Sequence, residues 1–348
     1  KTQFFTLGYI NKPRTIFKNI RGLNGKEFIR FNFKENKVSS FPAQTFQGIY
    51  ENISLEDLLI KTIKKELNVN KVNNILFSYE PISELLIKII DKEFGYKINC
   101  LFQNKYQEEE NIKEEIFNIS NKRSQTKKYN LFLSDNLYDF ISNITSYTQE
   151  PFANTELIFS NEFKRLLYQD NIFSFISTLG YSEIFWGHNK QINAIKKNKL
   201  IINNINNKKR YKNYFNLYSN KLGLENIFNF KKYDFYKDLD IRYFKNINPL
   251  SIIQSDINST LISNLLNLDN KGLFFKTPIN KKIFLNKDII NWTEYLYSGI
   301  SSKNFKEIKN PFDEIFRKYN VNVSNYPTRK INQIPSWLTN DRTLRNIL

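Results

Sequence analysis

The sequence predicts an α+β protein: a basic N-terminal arm, a small helix–strand–helix–strand unit and a larger, mainly helical second domain. Three observations carry this. Residues 1–52 show no helical period and are broken by Gly8, Pro13, Gly22, Gly25, Pro42 and Gly48. Residues 53–104 switch between helical and strand-like hydrophobic spacing. After a charged stretch at 105–130, residues 131–348 return to a diffuse, mostly helical pattern. With 41% hydrophobic residues, 31 Phe and 20 Tyr, the chain has ample apolar area for a core, since each buried aromatic removes about 150–250 Å² from water.

In the arm, Lys12, Arg14, Lys18, Arg21, Lys26, Arg30 and Lys34 recur at short intervals, with Phe4, Phe5, Tyr9, Phe17, Phe28, Phe31 and Phe33 around and between them. This pattern predicts an extended arm with a short hairpin near Arg30; a solvated basic loop is the alternative. With so little apolar period the arm is expected to become ordered only against a partner, because fixing backbone costs roughly 1–2 kcal/mol per residue. Ser54 followed by Asp57 resembles a capping box, and Leu55, Leu58, Leu59, Ile63 and Leu67 fall on one face of a helix over 55–67. Residues 72–79 read as a strand. Pro81 suits a first helical turn, after which Ile82, Leu85, Leu86, Ile89, Ile90 and Phe94 form a second apolar stripe. Gly95 closes that helix and 97–103 is the next strand, with Cys100 as a small core residue. Glu108, Glu109, Glu110, Glu114 and Glu115, then Lys122, Arg123, Lys127 and Lys128, mark 105–130 as a polar linker or solvated helix. Further helices are expected at 134–147, 155–178, 256–268 and 303–319, with strands near 240–245 and 273–285.

Several function classes lose support. One cysteine and one histidine, His188, cannot form an internal disulfide or a Cys/His zinc site. No stretch approaches the roughly 18 apolar residues of a membrane span, and the first thirty residues carry no signal-peptide block, so a soluble chain is expected. Neither GxxxxGK[ST] nor GxGxxG occurs, and no cofactor is expected. His188 beside Trp186 and Gly187 reads as a packing residue, and Asp238 and Asp240 beside Lys237 and Arg242 read as salt-bridge partners. Gly48, Ile49 and Tyr50 resemble the first motif of a mobile-element endonuclease family whose second motif, Tyr-Ile-Gly, has no counterpart downstream. A non-catalytic role is therefore expected.

Charge points to a polyanion. The formal net charge is +18, and it is segregated: residues 1–37 hold nine basic against two acidic residues, 190–237 twelve against two, and 301–348 nine against four. Within 196–221, Lys196, Lys197, Lys199, Lys208, Lys209, Arg210 and Lys212 are interleaved with Tyr211, Tyr214, Phe215 and Tyr218. Cations supply phosphate affinity through counterion release, and aromatic faces stack on unpaired bases. A solvated basic helix over an aromatic core is the alternative for this patch. Lys12, Arg14, Lys18, Arg21 and Arg30 of the arm, with Lys196, Lys197, Lys199, Lys208, Lys209, Arg210, Tyr211, Lys212 and Tyr214, are the expected RNA-contacting set. Alanine at only three positions, valine at only five and no methionine mark an AT-rich gene, as in organelles, some parasites and some phages.

The opening KTQFFTLGYINKPR supplies Lys1, Thr2, Leu7, Gly8, Lys12 and Arg14, and ISELLIKIIDKEFGYKINCLFQNK follows a helix at 55–67. In this order the N-terminal third resembles the bacterial-type small-subunit ribosomal protein three, whose basic arm leads to a helix and a K-homology unit. The resemblance implies a K-homology-like fold for 53–104 and a diverged, non-catalytic component of an organellar, mitochondrial, ribosome, with ribosomal RNA and neighbouring ribosomal proteins as partners. It departs from the family where a Gly-x-x-Gly loop should precede Ile82 and FSYEP stands instead, and the family's C-terminal basic motifs are not recognisable after 130. An accessory subunit of an organellar membrane complex and, behind it, a mobile-element nuclease are the alternative readings.

Overall fold

The computed structural model describes residues 10, 14–23, 27–42, 53–68, 72–104, 124–131, 142, 155–185, 278–298 and 310–326. The described residues mix helix and strand, the coarse part of what the sequence predicts. Strands β1 (Glu27–Asn32) and β2 (Lys37–Pro42) pair antiparallel as the hairpin expected near Arg30. Helix α1 (Leu55–Glu66) starts where Ser54 Oγ accepts a hydrogen bond from the Asp57 backbone N–H at 3.0 Å. That cap, with Glu56 and Asp57 in the first turn and Lys64 and Lys65 in the last, suits both ends of the helix dipole. Leu55, Leu58, Leu59 and Ile63 are buried, each contributing about 1.5–3 kcal/mol of transfer free energy.

Strand β3 (Asn73–Phe77) leads into α2 (Pro81–Ile89), which continues through a wider turn at Ile90–Phe94 and stops at Gly95 with φ +63°. Pro81 occupies the first turn, where its missing N–H leaves no bond unmade. Strand β4 (Ile98–Asn104) follows, then β5 (Ser124–Asn130), α3 (Thr155–Gln169), β6 (Ser174–Ser177), the one-turn α4 (Tyr181–Ile184), β7 (Ile279–Lys282), α5 (Lys287–Ser298) and α6 (Asp313–Lys318). Among the described residues no helix is long and apolar enough to cross a membrane.

Five strands form one parallel sheet in the order β5-β4-β3-β6-β7. The chain moves outward from β3 to β4 and β5, then returns to the other side of β3 for β6 and β7. Side chains alternate between two cores. Ile75, Phe77, Ile98, Cys100, Phe102 and Ile176 join the larger cluster with α1, α2, Ile283, Phe284, Ile289, Phe312 and Phe316, while Leu76, Leu101, Tyr129 and Phe175 pack with Phe159, Phe163 and Leu167 of α3. Helices thus cover both faces, the condition under which an all-parallel sheet is stable. Cys100 is buried, as its mid-strand position predicts.

The sheet runs through the boundary expected at 105–130. Ser124–Asn130, read from sequence as the end of a linker, is the edge strand β5, and its charge has a structural reason: lysines at a sheet edge discourage further strand pairing. Strand β6, from a stretch expected to be helical, and β7, within the strand expected near 273–285, complete the same sheet as β3 and β4. A second correction concerns 155–178. The helix ends at Gln169, Asn171 turns back at φ +58° with the Ile172 N–H on the Leu167 carbonyl, and 174–177 is a strand. Phe173, Phe175 and Ile176 continue the apolar run, yet Phe175 and Ile176 face opposite sides of the sheet, a pattern that a short buried run cannot distinguish from helix. Helix α5 had no counterpart in the sequence reading, although Ile289, Thr293 and Tyr297 line its buried side at four-residue steps. The expected elements at 256–268 and 240–245, all of 134–147 but residue 142, and His188, Asp238 and Asp240 lie outside the described residues.

Candidate nucleic-acid interface

The hairpin arises from alternation. In EFIRFN and KVSSFP successive side chains point to opposite faces, and the register pairs Phe28 with Phe41, Arg30 with Ser39 and Asn32 with Lys37 on one face. The other face carries Ile29, Phe31, Val38 and Ser40. Asn32 Oδ1 accepts from the Lys34 N–H at 3.1 Å, and Asn36 takes φ +48°, a left-handed conformation that asparagine tolerates, so the chain reverses over residues 33–36. Phe28 and Phe41 stack at a centroid separation of 5.2 Å and an interplanar angle of 17°, and the Arg30 guanidinium lies 5.3 Å from the Phe41 ring centre. Phe31 and Phe33 meet edge to face at 4.8 Å. All four rings are exposed.

Upstream, Thr15 builds a compact turn. Its Oγ1 accepts from the Phe17 N–H at 3.1 Å and donates to the Ile20 carbonyl at 2.7 Å, which leaves Lys18 exposed on the loop and Arg14 and Arg21 exposed at its two ends. Among the described residues, Lys18, Arg21 and Arg30 have no carboxylate partner. Of the expected RNA-contacting set, Arg14, Lys18, Arg21 and Arg30 are therefore solvent-facing cations of the arm. Lys12, Lys196, Lys197, Lys199, Lys208, Lys209, Arg210, Tyr211, Lys212 and Tyr214 lie outside the described residues. Phe41 and Lys37 share the Arg30 face and were not singled out from sequence; the period of two in KVSSFP was the available signal.

A doubly wound sheet places ligands at the carboxyl ends of its strands, where the strand order reverses. Here that point lies between β3 and β6. Ser78 Oγ sits 3.0 Å from Thr178 Oγ1 and 2.8 Å from Ser83 Oγ, the Ser78 N–H donates to Ser83 Oγ at 3.1 Å, and Ser78 Oγ donates to Glu80 Oε2 at 3.2 Å. A phosphate cradle needs small residues and backbone N–H groups aimed at the anion. At this turn Pro81 has no N–H, the Ser78 N–H is already bonded, and Glu80 adds a carboxylate. These hydroxyls staple the two strands together and present no cradle.

No known family model matches the chain, and no curated protein matches it. What the fold and the site define is a doubly wound α/β body carrying a cationic, aromatic N-terminal hairpin.

Proposed function

We propose that this chain is a non-catalytic component of a mitochondrial ribosome that binds ribosomal RNA through its basic arm, with neighbouring ribosomal proteins as further partners. One observation carries the proposal: Lys18, Arg21 and Arg30 are exposed and free of carboxylate partners among the described residues. Some cations of the body are tied to acids, as in Lys88–Glu84 at 2.6 Å and Lys318–Glu56 at 2.7 Å, whereas these three are not. Cations left unpaired on one arm suit a surface that neutralises phosphate. A K-homology-like clamp is not needed by this reading, since the turn before Ile82 holds Ser78, Tyr79, Glu80 and Pro81 where such a clamp needs glycines.

The test is the salt dependence of RNA binding by the whole chain. Replacing Lys18, Arg21 and Arg30 together by glutamine should flatten the slope of log affinity against log salt by about two to three, because each phosphate that a cation neutralises accounts for roughly 0.7–0.9 of that slope. An unchanged slope would show that the arm does not face phosphate. Co-sedimentation separates the rival partner: migration with the small ribosomal subunit supports the proposal, and migration with a detergent-solubilised respiratory complex overturns it.

A further inference from the structure

We propose that the Phe28–Arg30–Phe41 face of the hairpin is a stacking platform for unpaired nucleotides, so that the arm takes single-stranded RNA segments in preference to duplex. The inference rests on the RNA-binding reading above and specifies its ligand. The face consists of Phe28, Arg30, Asn32, Lys37, Ser39 and Phe41: two aromatic rings at one end, two cations and no carboxylate. Phe28 is 44% exposed and Phe41 36%, although each ring already has the other to stack on. Two stacked rings, one of them with a guanidinium against it, make a surface on which a further π-system can lie, and every base offers one. Residues on the same face recur about 6.8 Å along a strand, so Arg30, and then Asn32 and Lys37, lie one and two steps from the rings, in line for the backbone of a nucleotide stacked there. Duplex RNA keeps its bases stacked internally and offers only phosphates and 2′-hydroxyls to such a surface. The opposite face, with Ile29, Phe31 and Val38, carries no cation and lacks this chemistry.

The experiment compares a single-stranded oligoribonucleotide containing 2-aminopurine with the same strand in a duplex, using the whole chain and the variants F28L/F41L and F28Y/F41Y. The wild-type chain should quench 2-aminopurine in the single strand. F28L/F41L should lose that quench and weaken single-strand binding by roughly 5- to 150-fold, the range for one stacked base, with the salt slope unchanged. F28Y/F41Y, which keeps both rings, should bind as wild type. Because β1 and β2 form a sheet of their own, thermal unfolding of the body should be the same in all three proteins. Equal single-strand affinity for wild type and F28L/F41L overturns the platform while leaving salt-dependent RNA binding in place. Loss of duplex and single-strand binding to the same extent also overturns it. A wild-type chain that binds neither RNA, or only anionic vesicles, removes the RNA-binding reading itself.

Discussion

Alkaline pH should unfold this chain, and the phenols responsible can be named. Tyr181 and Tyr326 are each 8% exposed. Burial pushes the Tyr181 hydroxyl well above the ordinary phenol range, within a cluster formed by Phe185, Phe284 and Phe312. Burial does the same for Tyr326, reinforced by its 2.5 Å hydrogen bond to Glu84. Tyr319 is raised by burial and by hydrogen bonds to Glu56 and Glu93, and Tyr129 by burial and its hydrogen bond to Asp170. A raised folded value means that the stabilisation is complete below the unfolded pKa near 10 and is lost as pH rises above it, because the unfolded phenol ionises first. One pH unit above that value, each phenol costs about 1.4 kcal/mol; two units above, about 2.7 kcal/mol. Tyr181 and Tyr326 alone then remove about 5 kcal/mol, and Tyr319 and Tyr129 act in the same direction. That is on the scale of the whole stability of a domain, about 5–15 kcal/mol.

Cooperative unfolding is therefore expected roughly between pH 11 and 12. Phenolate absorbance after rapid pH jumps, followed beside near-ultraviolet circular dichroism, should show two classes among the 20 tyrosines: those that ionise at once and those that ionise only as tertiary structure is lost. Tyr181→Phe and Tyr326→Phe should each reduce the slope of stability against pH by about 1.4 kcal/mol per unit above pH 10. Smooth ionisation of every phenol near pH 10, with the dichroism unaltered, would refute the assignment of these rings to the interior.

Three further outcomes follow from the body of the fold. Gly180 has φ +97°, and a Cβ there would stand 2.5 Å from Leu285 Cδ2; Gly180→Ala should cost about 2–5 kcal/mol from backbone strain plus overpacking in urea titrations, and the same substitution made in a Leu285→Ala background should cost only the strain part. Thr178→Val removes a hydroxyl from the Ser78–Ser83 network and should cost about 1–3 kcal/mol in the same assay, while a change below about 0.5 kcal/mol would show that the strands are not stapled there. The Asp170 carboxyl is held below its ordinary range, first by the Tyr129 hydroxyl and then by Lys127, so its contribution is present above that range and lost as pH falls; Asp170→Asn should flatten the acid limb of the stability curve, and an unchanged limb would count against the contact.

The parts of this fold legible in the sequence are those where local pattern and tertiary context agree. The cap at Ser54, the stripe from Ile82 to Ile90, Pro81 at a helix start and Gly95 at a helix end each carry their own physical signal, and each stands where the sequence places it. Strand β5 was hidden because Lys127 and Lys128 are acceptable at a sheet edge, and without the edge in view they look like linker. Strand β6 was hidden because both its faces are buried, which erases the period of two. The order of strands was not legible at all, since nothing local records that β6 returns to the far side of β3. In the candidate interface the arginines were visible as charges, but the aromatic pair was not, because Phe28 and Phe41 meet only through the hairpin register.

The strand order bears on where function sits. In a doubly wound sheet the reversal point opens a crevice that ligands commonly occupy, yet here the chain's own side chains bridge that crevice. Ser78, Ser83 and Thr178 hydrogen-bond across it, Tyr79 packs against Phe77 and Phe102, and the Glu80 carboxylate accepts from Ser78 Oγ. The edges are similarly committed: Lys127 of β5 reaches Asp170, and Lys281 of β7 donates to the Glu66 carbonyl at the end of α1. With those groups engaged, the described cations still lacking carboxylate partners include Lys18, Arg21 and Arg30 of the arm, joined by exposed rings that no core covers. A two-stranded hairpin is marginally stable by itself, so exposing both its faces makes physical sense when a partner supplies the missing burial. A reversal point bridged by its own hydroxyls and a hairpin whose cations and rings face outward are the arrangement expected if the arm, as proposed, carries the contact to a polyanion.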